Sequence, residues 1–234
     1  KDPIQPYIDG EWVKARGTTL GADNGIGMAS ALAVLADDSV EHGPLEVLLT
    51  MTEEAGMDGA FGLQANWLQA DILINTDSEE EGEIYMGCAG GIDFISTLPL
   101  SREAIPAGFE TFKLTLKGLK GGHSGGDIHL GLGNANKLLA RFLAGHAAEL
   151  DLRLVDFNGG TLRNAIPREA FATVAVPASK ADELKNLSSV YLEILKNELS
   201  AKEKNLTVVL ESVTTDKAAL TAQSRDTFVQ DRKS

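Results

Sequence analysis

The sequence predicts an α/β portion, a mostly parallel sheet with flanking helices, over residues 1–91, followed by an α+β sandwich over residues 92–234. Three observations predict it. Two short apolar runs, Leu45–Thr52 and Ile72–Thr76, alternate with helical patterns and read as buried strands of a parallel sheet. Beyond Gly87-Cys-Ala-Gly-Gly91 the strand-like runs alternate apolar and polar residues, as half-exposed antiparallel strands do. Finally, 43% of the 234 residues are hydrophobic, enough for a sizeable core.

Residues 1–22 are turn-rich, with Pro3, Pro6, Gly10, Gly17 and Gly21. A helix is expected over Gly25–Ala36, where Ile26, Ala29, Leu32, Ala33, Leu35 and Ala36 recur at three- and four-residue spacings. Gly43-Pro44 breaks the chain before the first strand, and Met57–Leu68 forms a second helix before the next strand. Ile92–Leu100, Phe109–Leu116, Leu152–Phe157, Phe171–Val176 and Leu206–Val213 are strand candidates of the second half. Helices are expected over Asn134–Ala148, with Leu138, Leu139, Phe142 and Leu143 on one face, and over Lys217–Phe228. Ser179–Lys202 reads as a long amphipathic helix, with Ser179 as N-cap and Leu184, Leu187, Tyr191, Ile194 and Leu195 as its stripe. The boundary between the halves falls near residue 91.

The chain carries 21 basic and 34 acidic side chains, a formal charge of −13. That balance repels phosphates and argues against a nucleic-acid partner, while suiting a site that holds cations. No apolar run approaches the roughly 20 residues that a membrane-spanning helix needs, so no membrane partner is expected. Cys88 is the single cysteine, which excludes an internal disulfide and fits a reducing, cytoplasmic compartment. The first residues lack both a starting methionine and an apolar signal region, so the chain is expected to begin inside a longer protein.

The acids at the ends of the two apolar runs stand where an open α/β sheet binds ligands, beyond the carboxyl ends of its strands. Glu53 and Glu54 follow the first run, where they form either a solvated pair or a metal ligand beside a separate base. Successive side chains of a strand point to opposite sides, which would divide those two roles. Asp77 is the first residue past the second run and opens an acidic stretch in which Glu79, Glu80, Glu81 and Glu83 read as a solvated loop. Asp23, in Leu20-Gly-Ala-Asp-Asn-Gly-Ile-Gly27, reads as an N-cap, an Asx turn or a carboxylate ligand. A phosphate loop is disfavoured there, because no lysine follows at the required place.

His123 lies among Gly118, Gly121, Gly122, Gly125 and Gly126, a loop that can present an imidazole. His129 carries no independent signal, while His42 and His146 read as surface residues. Asn164 and Arg163 sit in a turn before a strand and could contact a polar substrate. Cys88 lacks a partner histidine, and Ser124 is directly adjacent to His123, a spacing at which two side chains rarely face each other, so neither reads as a nucleophile.

Five motifs occur in order: Leu20-Gly-Ala-Asp-Asn-Gly-Ile-Gly27, Thr52-Glu-Glu-Ala-Gly-Met-Asp58, Asn75-Thr-Asp-Ser78, Gly121-Gly-His-Ser-Gly125 and Asn164-Ala-Ile-Pro167. Together they resemble the dinuclear zinc aminopeptidase/carboxypeptidase family that contains carnosinases and aminoacylases, most closely its bacterial aminoacyl-histidine dipeptidase branch. The resemblance covers nearly the whole chain. It implies hydrolysis of a small peptide substrate, of the aminoacyl-histidine class, by a water bridging two divalent metal ions, zinc with Mn or Co as alternatives. Asp23 then corresponds to the carboxylate bridging both ions, Glu54 to a ligand of one and Asp77 to a ligand of the other. Glu53 corresponds to the general base and acid. His123 resembles the lid-domain imidazole that stabilises the developing oxyanion, reaching it by closure or from a partner subunit, and Asn164 matches a substrate-contacting position. Residues 1–91 would be part of the catalytic domain, and residues 92–234 a lid through which a homodimer could form.

Departures from the family pattern carry an expectation of their own. The family's His-x-Asp element upstream is absent, since no histidine precedes His42, and no late histidine ligand follows. The chain corresponds to roughly half of a family member, and Gln230-Asp-Arg-Lys-Ser234 reads as a truncated or frame-shifted tail. Without histidine ligands the isolated chain is expected to be nearly inactive. An N-acyl amino acid amidohydrolase and a non-catalytic folding or dimerisation fragment are the competing expectations.

Overall fold

The computed structural model describes residues 2–78, 80–88, 90–92 and 94–233, and it divides into two compact units, Lys1–Asp93 and Phe94–Ser234. Glu79 of the acidic loop lies outside the described residues, as does Asp93 of the Ile92–Leu100 run.

The first unit opens with a hairpin inside the segment read as turn-rich. Strand β1 (Pro6–Asp9) pairs antiparallel with β2 (Trp12–Ala15), Asp9 facing Trp12. The link is Gly10-Glu11, with Gly10 at φ 65°, the positive value that tight hairpin turns require. Helix α1 spans Gly25–Ala36, as its periodicity predicts; Asn24 caps it by accepting the Gly27 N–H at 3.0 Å. The expected Met57–Leu68 helix shrinks to a single turn, α2 (Asp58–Phe61). Gly59 and Gly62 weaken helix propagation there, and Met57 at φ 61° sets the chain left-handed just before it.

Neither expected strand of this unit carries a ladder among the described residues. Leu45–Thr52 and Ile72–Thr76 are unpaired, and their apolar side chains face solvent: Met51 is 74% exposed and Ile72 79%. A buried parallel strand is stabilised by neighbours on both edges and helices on both faces, and the described residues of this unit do not cover these runs. Glu46 of the first run is instead anchored to the chain just before the second, its carboxylate accepting the N–H groups of Gln69 and Ala70 at 2.7 and 2.8 Å. The parallel sheet expected over residues 1–91 is therefore absent among the described residues of this unit, whose one ladder is the β1–β2 hairpin.

The second unit holds the hydrophobic core. Its short strand β3 (Arg102–Glu103) replaces the ladder expected over Ile92–Leu100. There follow β4 (Phe109–Lys117), the two-residue β5 (Gly122–His123), helix α3 (Ala135–His146), β6 (Arg153–Gly159), β7 (Ala165–Ile166) and β8 (Ala170–Pro177). Helix α4 (Ala181–Leu199), β9 (Thr207–Ser212), β10 (Ala219–Leu220) and helix α5 (Ala222–Lys233) complete it. The main sheet is antiparallel in the order β6-β8-β4-β9, with Leu114 opposite both Ala172 and Leu210.

Alternation along β4 and β8 turns Phe112, Leu114, Leu116, Ala172, Val174 and Val176 to one face. There they meet Leu139 and Leu143 of α3 and Leu184, Tyr191 and Leu195 of α4 in one cluster. Each fully buried leucine contributes about 1.5–3 kcal/mol. A register shift between Leu154 and Asp156 turns Val155 to the other side, against Ala175 and Ala219. Arg225, buried, donates from Nη1 to the Leu152 carbonyl at 2.6 Å and reaches the Ala147 carbonyl at 3.5 Å, holding α5 against the turn between α3 and β6.

Three local expectations change. Ser179 is not an N-cap, because it lies within a 3₁₀ turn, Ala178–Lys180, that leads into α4 without an extended cap residue. The expected Lys217–Phe228 helix yields its start to β10, because Ala219 and Leu220 are buried in a ladder with β3. His146 is only partly exposed, its ring centroid 5.0 Å from that of Phe142, rather than a free surface residue.

Candidate active site

In the first unit the glycine-rich turn and the end of the Ile72–Thr76 run line one cleft of about 280 Å³. Its walls include Asp23, Asn24, Thr76 and Asp77. The Asn24 side chain links them: its amide N–H donates to Thr76 Oγ1 at 3.4 Å while its Oδ1 holds the Gly27 N–H. Gly27 is the buried residue of α1, and a Cβ there would collide with Thr76 Oγ1 and Asn24 Oδ1, so a glycine is required for this approach. Asn24, not Asp23, is the cap, which removes the N-cap reading of Asp23 and leaves its carboxylate on the cleft wall. The Asp23–Asn24 peptide is cis. Asp77 is turned by its neighbour Asn75, whose Oδ1 accepts the Asp77 N–H at 3.0 Å.

Glu53 and Glu54 do not stand on a strand. They open a 3₁₀ turn, Glu53–Ala55, so their side chains diverge by about 120° rather than by the half-turn of a strand. A closed ring of hydrogen bonds shapes the turn: Thr52 Oγ1 donates to Asp58 Oδ2 at 3.1 Å and accepts the Asp58 N–H at 3.0 Å. The Met57 N–H returns to the Thr52 carbonyl at 2.7 Å. Thr52 takes φ 58°, a positive value uncommon for a residue with a side chain. Partial loss of hydration raises the Glu53 carboxyl above its ordinary range, and the charges of Glu54, Asp77 and Asp23 push it in the same direction. Glu54, Asp77 and Asp23 thus all lie within electrostatic reach of Glu53.

They do not form a metal centre. Among the described residues no group of three or more His, Cys, Asp or Glu side chains gathers closely enough to hold a metal ion. The donors that line this cleft are carboxylate oxygens, and His42, the histidine of this unit, has its ring Nδ1 on the Gly43 carbonyl at 2.7 Å. The two ions implied by the family resemblance are therefore not matched by these residues alone.

In the second unit, strands β5 and β7 bring two predicted positions together. His123 faces Ala165 in their ladder, and the Ser124 N–H donates to the Asn164 carbonyl at 2.7 Å. The His123 N–H donates to Asp127 Oδ2 at 2.8 Å, and the Asp127 N–H returns to the His123 carbonyl at 3.0 Å. The whole loop is closed at its base by one buried carboxylate. Glu203 accepts the Lys120 N–H and the Gly133 N–H, each at 2.8 Å.

Asp127, Glu203, Asp58 and Thr76 are the supporting residues that sequence reasoning missed. Thr52 and Asp58 bound a quoted motif, which is a signal in retrospect; Glu203 has none, because its partners are backbone groups remote in sequence.

Residues 114–203 match the peptidase dimerisation domain. The chain is 84% identical over 230 residues to the cytosol non-specific dipeptidase of Escherichia coli, covering 98% of this chain and 47% of that protein. The crystal structure of aminoacylhistidine dipeptidase from Vibrio alginolyticus matches with a TM-score of 0.67 and 62% identity, over 100% of this chain and 48% of that one. The uncharacterised protein YqjE of Bacillus subtilis is 36% identical over 80 residues, 32% of this chain and 22% of that protein. The chain spans about half the length of the E. coli and Vibrio relatives. The family resemblance of the five ordered motifs is therefore matched by the comparisons: residues 114–203 are similar to the peptidase dimerisation domain, and nearly the whole chain is similar to about half of a cytosol non-specific dipeptidase and of an aminoacylhistidine dipeptidase.

Proposed function

We propose that this chain is the portion of a metal-dependent dipeptidase that supplies its acidic loops and its lid. The observation that carries the reading is the 84% identity, over 98% of the chain, to a protein named as a dipeptidase. Residues 1–91 belong to the catalytic domain, where the Leu45–Thr52 and Ile72–Thr76 runs take their place in a parallel sheet. Residues 92–234 form the lid and the surface of a homodimer. The enzyme is cytoplasmic, and its substrates are small dipeptides of the aminoacyl-histidine class.

Within that enzyme Glu53 takes a proton from the attacking water and returns it to the leaving amine. His123 lends a hydrogen bond to the carbonyl oxygen as it gains charge, and Asn164, in the turn beside it, orients the substrate. Asp23, Glu54 and Asp77 are the acidic share of a site for two divalent ions, zinc with Mn or Co as alternatives. Carboxylates alone suit hard ions and match zinc poorly, so this chain by itself is nearly inactive.

The test is a chimaera in which this chain replaces its counterpart in the E. coli relative. Dipeptides with a free amino group, Xaa-His among them, are expected to turn over well ahead of N-acyl amino acids. The reverse order would make the protein an N-acyl amino acid amidohydrolase. One observation favours a second reading, a folding or dimerisation module: among the described residues, the buried hydrophobic side chains all lie in the second unit. Under that reading the chimaera's turnover would be indifferent to Glu53.

A further inference from the structure

The His123 ring is held by its own loop. Its Nδ1 lies 3.1 Å from the Gly125 nitrogen and 3.0 Å from the Gly126 nitrogen, with both N–H groups pointing at it. A backbone N–H can only donate. The ring nitrogen that faces two of them must therefore present its lone pair; a hydrogen on Nδ1 would be set against two donors. The hydrogen of the neutral ring is then carried by Nε2.

We infer that this loop selects the Nε2–H tautomer of the neutral His123 ring, with the Gly125 and Gly126 N–H groups setting the tautomer and Asp127 as a positioning residue. The assignment separates three roles that an imidazole can play. A metal ligand or a general base acting through Nε2 needs its lone pair there, which requires the hydrogen on Nδ1. A donor acting through Nε2–H needs the arrangement seen here. The group that His123 serves is thus an oxygen with available lone pairs, such as a substrate carbonyl gaining negative charge or a carboxylate. This last step rests on the proposed dipeptidase function; the tautomer itself does not.

The sequence explains why the arrangement forms. Glycine at 125 lets the backbone approach the ring, since a Cβ there would already sit 3.3 Å from the imidazole Cε1 and Nδ1. The turn is locked by the two hydrogen bonds between His123 and Asp127, and by Ser124 on the Asn164 carbonyl. Removing the Asp127 carboxylate frees the His123 N–H and loosens the turn that aims the glycine amides.

Long-range ¹H–¹⁵N spectra of the imidazoles in the labelled 234-residue chain test this. They are recorded in mildly alkaline buffer, with His123 assigned by its loss in His123→Gln. The reference is an unstructured peptide spanning residues 118–127. The expected result is an Nε2–H pattern for His123 more complete than in the peptide, with the Nδ1 resonance shifted toward that of a hydrogen-bonded acceptor. In Asp127→Ala the pattern moves to that of the peptide, whereas Asp127→Asn, which keeps an acceptor oxygen, retains it. Gly125→Ala, which crowds the ring without touching Asp127, shifts it as well. An Nδ1–H pattern in the unaltered chain, or a tautomer ratio equal to that of the peptide, would overturn the inference. Either result leaves the dipeptidase reading to the substrate comparison above, so the two can fail separately.

Discussion

Turnover by the chimaera is expected to fall about 10²–10⁴-fold when Glu53 is replaced by glutamine, the range typical for loss of a general acid–base. Metal content is expected to stay unchanged. The substitution keeps the size and reach of the side chain and removes its negative charge and its ability to take up and return a proton. It also relieves the repulsion that Glu54, Asp77 and Asp23 exert on Glu53, so the first unit is not expected to lose stability. Metal analysis beside the rate measurement decides between the adjacent acids. Loss of metal with retained turnover would exchange the roles of Glu53 and Glu54.

The second large effect is on stability. Glu203 is 3% exposed, and its two oxygens each hold one backbone N–H, from Lys120 and from Gly133. Glu203→Ala leaves both donors without a partner at the base of the His123 loop. Each unsatisfied buried group costs about 1–3 kcal/mol, so the second unit should lose about 2–6 kcal/mol. Urea unfolding followed by far-ultraviolet circular dichroism reads this as a lower midpoint at unchanged slope. Glu203→Gln retains one acceptor oxygen and should lose roughly half as much. Equal midpoints for Glu203→Ala and the parent chain would show that the loop is held by other contacts.

The parts legible from the sequence were those set by near neighbours. The apolar stripe from Leu184 to Leu195 and the alternation Phe112-Leu114-Leu116 describe faces that the chain builds locally, and both appear in the core, except that Ile194 of the expected stripe turns outward and is 43% exposed. The hairpin at Gly10-Glu11 escaped because its strands are short and its turn was read only as irregular chain. Leu45–Thr52 and Ile72–Thr76 read as strands from their composition, but a strand also needs partners, and composition does not say where those are. The motif around His123 was visible through its glycines. Its anchor was not, because Glu203 reaches amides 83 and 70 residues earlier in the chain. At the acidic cleft the residue types were legible, while the Asn24–Thr76 link that joins the two loops was not.

The account stands most directly on the metal donors. Turnover of an aminoacyl-histidine dipeptide by this chain alone, with zinc added, compared with the chimaera under the same conditions, measures whether its carboxylates suffice. The account predicts turnover near background for the chain alone and restored turnover for the chimaera. Comparable rates for the two would contradict it.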